Sequence, residues 1–292
     1  MKFYNIEDCP FKQIYIDVTT RCQLHCKNCY AAKRNTPDIT PDYFEKVCKL
    51  FPNKIVWRFC GGEPTLNPYF FDLVKIAHKY RHLATLITNG KKLADIDYCR
   101  KIKMSKLHTV AISFDGGIEN DDTYIQTQGE LCVDFKLKAL KNLVEVGFRR
   151  ISICVLVLRG INEFAIEHLL RLKNQYPKNI RYIHLRNLSP VGIYMKDSKP
   201  YTLQELKELL GEHVDLFTAK NKPLFGPCET CKFDCKFNDC YCNDCDRFII
   251  DNCEYSLINF FPESCKVRGQ LLPNFRVVPA FEYQRFENIK QE

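Results

Sequence analysis

Residues 14–30 read IYIDVTTRCQLHCKNCY, a β-branched run from Ile14 to Val18 that stops at Thr19 and Thr20 and then delivers three cysteines. Alternation and β-branching predict a strand there, so Cys22, Cys26 and Cys29 fall on the loop that follows it. Thr40 before Pro41 marks a helix start, with threonine at the cap and proline at the first helical position. That helix is expected to run to about residue 50.

Outward from this unit the same alternation repeats. Strands are predicted over 54–59, 83–88, 109–114, 150–157 and 180–185, and helices over 68–80, 96–103, 133–146 and 162–175. Strands and helices taking turns along a chain argue for a parallel α/β sheet. Such folds place their chemistry on loops at the C-terminal ends of the strands, where every candidate residue below falls. One more helix is predicted over 202–217, with Thr202 as N-cap and Glu205 completing a capping box. Past Asn221 the composition turns abruptly to cysteine, aspartate and phenylalanine, so the boundary is set there: residues 1–222 as the core and 223–292 as a cysteine-rich domain.

The 292 residues include 17 cysteines, three between 22 and 29, eight between 228 and 265, and six dispersed. No secretory h-region opens the chain, and the longest strongly apolar run, 151–158, is far too short to span a bilayer. The expected location is therefore cytoplasmic, where thiols stay reduced and a disulfide framework does not explain the cysteines. Metal or cluster ligation becomes the leading account. The net charge of +8 comes from scattered lysines and arginines, which a solvated exterior explains better than a nucleic-acid surface does.

Spacings of three and two residues let one short loop present three thiolates to a single iron-sulfur cubane. Three ligands leave a fourth iron open, as a catalytic metal site requires. A zinc site with His25 or a remote cysteine as fourth ligand is the competing reading. Further strand ends carry Cys60-Gly61-Gly62-Glu63-Pro64, Thr88-Asn89-Gly90 and Ser113-Phe114-Asp115-Gly116. Paired glycines allow close backbone approach and the glutamate can accept from an ammonium, while the other two offer short polar side chains before a turn.

In this order and register the motifs resemble the radical SAM superfamily, whose signature is CxxxCxxC with an aromatic residue next, here Tyr30. The resemblance spans roughly residues 12–192. It implies a partial parallel (β/α)6 barrel of TIM type, a 4Fe-4S cluster on Cys22, Cys26 and Cys29, and S-adenosylmethionine (SAM) on the open iron. The GGEP segment (Gly61, Gly62, Glu63) would hold the amino group of the methionine moiety. Thr88, Asn89, Ser113 and Asp115 would border its carboxylate and the ribose. The loop with Arg159 would close on the cofactor, and the segment with Pro190 would pack the adenine. Reductive cleavage of SAM would give a 5'-deoxyadenosyl radical that takes hydrogen from a substrate, with a low-potential flavodoxin or ferredoxin as electron donor. Many relatives carry an asparagine on the fifth predicted strand, where this chain has Cys154.

Cys228, Cys231, Cys235, Cys240, Cys242, Cys245, Cys253 and Cys265 place eight thiols in 38 residues, too dense for packing alone. They can ligate one or two auxiliary 4Fe-4S clusters, or zinc. In position and density this stretch is similar to the SPASM and twitch extensions of that superfamily, with different spacing. The substrate class implied is a peptide or protein side chain or a small biosynthetic intermediate. The rival from another class is a zinc-stabilised nucleic-acid- or protein-binding protein, which leaves the GGEP and SFDG segments without a purpose.

Overall fold

Side chains alternate across a strand, and the six central strands here turn one apolar face to the helices and a mixed face, with several polar residues, the other way. The computed structural model describes residues 3–32, 34–188, 192–202, 205, 208–209, 247–251, 268–272 and 274–279. Its strands are β1 (Tyr4–Asn5), β2 (Gln13–Thr19), β3 (Val56–Gly61), β4 (Leu83–Thr88), β5 (Thr109–Ser113), β6 (Ile151–Val157), β7 (Ile180–Asn187), β8 (Arg247–Asp251), β9 (Arg268–Leu271) and β10 (Arg276–Pro279). Its α-helices are α1 (Pro41–Leu50), α2 (Phe70–Lys79), α3 (Ile96–Met104), α4 (Asp121–Gln128), α5 (Val133–Glu145) and α6 (Ala165–Gln175).

Strands β2 to β7 lie side by side in chain order and are parallel throughout. This is the parallel α/β sheet expected from the alternation, and its chain-order strands agree with the open, partial barrel that the resemblance implies. On the helix side, Ile14, Ile16 and Val18 of β2 join Trp57 and Phe59 of β3, Leu86, Ile112, Ile153, Val155 and Leu185 in the buried core. Phe44 of α1 packs edge-on against Trp57 at 5.0 Å and Phe59 at 5.5 Å. The opposite face buries Gln13, Arg58, Thr85, Ser152 and His184. Arg58 donates to Gln13 Oε1 at 2.9 Å and lies over the Tyr15 ring. A polar inner wall of this kind suits a site rather than a second core.

The sheet extends past the predicted six strands on both sides. β9 pairs in parallel with β2, β10 and β1 continue antiparallel beyond it, and β8 pairs in parallel with β7. Strands from beyond residue 222 thus join the sheet at both sides of the six-strand core. Short and separated by cysteine-rich sequence, they show no period that marks them. Helix α4 was not predicted either: DDTYIQTQ has no apolar stripe, and it is started by Asn120, whose Oδ1 accepts from Thr123 N. Helix α6 begins at Ala165 rather than 162 because Asn162 is used otherwise, accepting from Leu158 N and donating to the Asp115 and Leu156 carbonyls. The capping box at the start of 202–217 is present, with Glu205 N donating to Thr202 Oγ1 and Thr202 N to Glu205 Oε2. Most of that predicted helix lies outside the described residues. Among the described residues no helix is long and apolar enough to cross a membrane.

One consequence of the packing is testable by pH. His108, at the entry to β5, lies 2.9 Å from the Arg150 guanidinium. Burial, then the charges of Arg150 and Lys54, pull its pKa down to about 4. An unfolded histidine binds its proton near 6.5, so below that pH the unfolded chain gains a proton that the folded chain refuses. The stability is present above 6.5 and is lost as pH falls toward 4. Between pH 7 and 4.5 wild type should lose about 2–3 kcal/mol more than His108→Gln. Parallel urea melts of the two would remove this account if their difference stayed flat.

Candidate functional site

The cysteine loop leaves β2 at the C-terminal end of the sheet and is tied down from three sides. From the β3 end, Gly62 N donates to Thr19 O at 2.8 Å and Glu63 N to Arg21 O at 2.7 Å. The fit is close: a Cβ on Gly62 would stand 2.3 Å from Arg21 O and 2.7 Å from Thr20 O. From α4, the carbonyls of Gln128 and Thr127 accept from His25 N and Lys27 N. From the segment after β7, Ile193 N donates to Cys29 O and Met195 N to Asn28 Oδ1. Gly192, at φ +62°, meets the Cys29–Tyr30 backbone where a Cβ would lie 2.2 Å from Cys29 O.

Each predicted site residue in the described part can be placed. Cys22 is exposed, and Cys26 and Cys29 are half-buried. Cys22 Sγ accepts from Leu24 N at 3.4 Å and from Asn89 Nδ2 at 3.7 Å. Desolvation raises the pKa of all three thiols, and nearby carboxylates add to it, Glu63 at Cys22, Asp115 at Cys26 and Asp17 at Cys29, so a metal centre binding here must displace protons. Tyr30 hydroxyl accepts from Gly61 N at 2.7 Å and donates to Asp17 Oδ1 at 3.3 Å. This links the cysteine loop to the glycine pair.

Glu63 is fully buried, and its carboxylate is already occupied. Oε1 accepts from Thr65 Oγ1, Thr65 N and Thr88 Oγ1, and Oε2 accepts from Asn89 N at 2.7 Å. Burial raises its pKa against these four stabilising contacts. The GGEP glutamate therefore fastens the end of β3 to that of β4. Asp115 likewise spans elements: Oδ1 accepts from Leu156 N at 2.8 Å and Oδ2 from Gln128 Nε2. Arg159 faces the segment past β7, donating to Glu205 Oε2 at 2.9 Å and Pro200 O while its guanidinium covers the Tyr201 ring. Cys154 on β6 is buried and donates to Ile112 O. Pro190 and the eight cysteines from 228 to 265 lie outside the described residues.

Several residues that sequence reasoning missed also belong here. Asp17 pairs with Arg34 and accepts from Cys60 Sγ; its signal was a carboxylate inside an otherwise apolar strand. Lys136 donates to Asn89 O, Ser113 O and Ser113 Oγ. Its signal was also legible, since 136, 139, 140 and 143 form the buried stripe of α5 and a lysine stands in it.

The donor set fits an iron-sulfur cluster: three thiols on one loop, with an amide N–H offered to one sulfur. Among the described residues, this loop included, no group of three or more His, Cys, Asp or Glu side chains stands close enough to hold a single metal ion.

Residues 16–172 match the family model described as the radical SAM superfamily. The chain is 30% identical over 185 residues to the 7,8-dihydro-6-hydroxymethylpterin dimethyltransferase of Methanocaldococcus jannaschii, covering 61% of this chain and 36% of that one. It is 27% identical over 216 residues to the GTP 3',8-cyclase of Clostridium botulinum, covering 71% and 65%. The chain thus spans less than two thirds of either relative. Among solved structures, Streptococcus suis SuiB bound to its precursor peptide SuiA superposes with a TM-score of 0.70 at 18% identity, covering 97% of this chain and 61% of SuiB. Native anSMEcpe with bound AdoMet gives 0.55 at 17%, covering 70% and 59%. At such identities the likeness shows the fold.

Proposed function

We propose, from the premise that this chain belongs to the radical SAM superfamily, that Cys22, Cys26 and Cys29 hold a 4Fe-4S cluster and that SAM binds beside it. When bound, such a cluster supplies the electron and the open iron for reductive cleavage of SAM to a 5'-deoxyadenosyl radical that takes hydrogen from a substrate. The observation that carries the reading is the docking of the three-cysteine loop onto the strand ends bearing Gly61-Gly62-Glu63 and Asn89. At Gly62 the two backbones approach too closely to admit a side chain.

The chain's own residues then divide the work. Gly61 and Gly62 bring backbone to the cluster loop, and Tyr30 locks it from below. Glu63 holds Thr88 and Asn89 in place for the methionine moiety. Ser113 and Asp115 line the next strand end toward the ribose, and Arg159 and Pro190 border the cofactor from the loops after β6 and β7. Residues 223–292, whose strands β8 to β10 complete the core sheet, also carry the auxiliary ligands, among Cys228, Cys231, Cys235, Cys240, Cys242, Cys245, Cys253 and Cys265, for one or two further 4Fe-4S clusters. A flavodoxin or ferredoxin delivers the electron. The substrate is a peptide or protein side chain or a small biosynthetic intermediate; SuiB bound to its precursor peptide supports the first class, and the cyclase and dimethyltransferase names support the second.

Protein purified without oxygen should contain iron and acid-labile sulfide and, once reduced, release 5'-deoxyadenosine from SAM. Zinc without sulfide, or a sulfide-bearing protein inert toward SAM, would overturn the reading.

A further inference from the structure

Lys136 has no solvent exposure, yet it sits in the apolar stripe of α5 beside Ala139, Leu140 and Leu143. Burying an ammonium is costly unless its hydrogens find acceptors. Here Nζ donates to Ser113 O at 2.7 Å, Asn89 O at 3.0 Å and Ser113 Oγ at 3.3 Å. The faces of Tyr124 and Phe135 lie 5.3 and 5.4 Å away, within cation–π range. The two carbonyls stand at the C-terminal ends of β4 and β5, so one side chain clamps the TNG and SFDG segments together.

A neutral donor would satisfy the same carbonyls, so the clamp alone does not account for a full charge. The charge has a nearby object. Cys26 packs in the same small apolar cluster as Tyr124, Cys132 and Phe135. Both rings that Lys136 Nζ faces, Tyr124 and Phe135, belong to that cluster. Adding an electron to a thiolate-ligated cluster adds negative charge, which a fixed cation in a low-dielectric setting favours.

We propose that Lys136 is a positioning residue that joins the Asn89 and Ser113 strand ends and, through its charge beside Cys26, raises the reduction potential of the cluster held by the three-cysteine loop. This rests on the function proposed above. The test is an EPR-monitored redox titration of the full-length, anaerobically reconstituted protein as wild type, Lys136→Met, Lys136→Gln and Lys136→Arg. The midpoint should move to more negative potential in the methionine and glutamine variants and stay near wild type in the arginine variant. Glutamine keeps a donor for the two carbonyls, so it reports on charge even if the methionine variant does not fold. A glutamine variant with full cluster content and an unchanged midpoint would sink the inference while leaving the function intact. No cluster signal in the wild type would sink both.

Discussion

Replacing Cys26 by alanine should abolish the release of 5'-deoxyadenosine from SAM, a loss of more than about a thousandfold, equivalent to about 4 kcal/mol of barrier. The loop has three thiols and no spare. Cys26 packs against Leu24, Tyr124 and Cys132, and the Cys132 thiol is held by Gln128 Oε1 and Glu130 O. Iron and sulfide at this site should fall with the activity. The informative control is Cys48→Ala, which removes a buried core thiol on α1 far from the loop. It should cost only about 1 kcal/mol of stability and leave the cleavage intact. Full 5'-deoxyadenosine release by Cys26→Ala, measured under the same reduction, would remove the assignment of this loop.

The second large effect is on the fold. Glu63→Ala leaves two backbone N–H groups, of Thr65 and Asn89, without their acceptor in a fully buried place, and strips the Thr65 and Thr88 hydroxyls of theirs. Losing a buried charged acceptor with several partners costs about 3–5 kcal/mol. Glu63→Gln should be milder, about 1–2 kcal/mol. Its carbonyl can face Asn89 N while its amide takes the Oε1 position, where the threonine hydroxyls can turn to accept; only Thr65 N then meets a donor. Urea denaturation of the three proteins measures the order. Equal stability of Glu63→Ala and wild type would show that the carboxylate does not fasten β3 to β4.

This role for Glu63 shows where sequence reading runs out. The motif places a carboxylate beside two glycines, and free in solution that carboxylate would accept from an ammonium. In the fold it also accepts from four donors, three on Oε1 and one on Oε2. Lys136 is legible in part: the spacing of 139, 140 and 143 puts it on the buried stripe of α5, and only the fold shows that Asn89 O and Ser113 O receive its ammonium. Asn162 was read as helix and is instead the link between the loops after β5 and β6.

By itself, the sequence determined the six-strand parallel order, the placement of candidate residues at C-terminal strand ends, and the three-thiol loop. These depend on periods of two and 3.6 and on spacings of a few residues, which are local properties of the chain. The tertiary structure alone decided that β9 would lie against β2 and β8 against β7, that the cysteine loop would be held by α4, Gly62 and Gly192, and which charged groups would be buried with which partners. Those contacts join residues far apart in the chain, and their energies depend on what water has been excluded from, which no local pattern records.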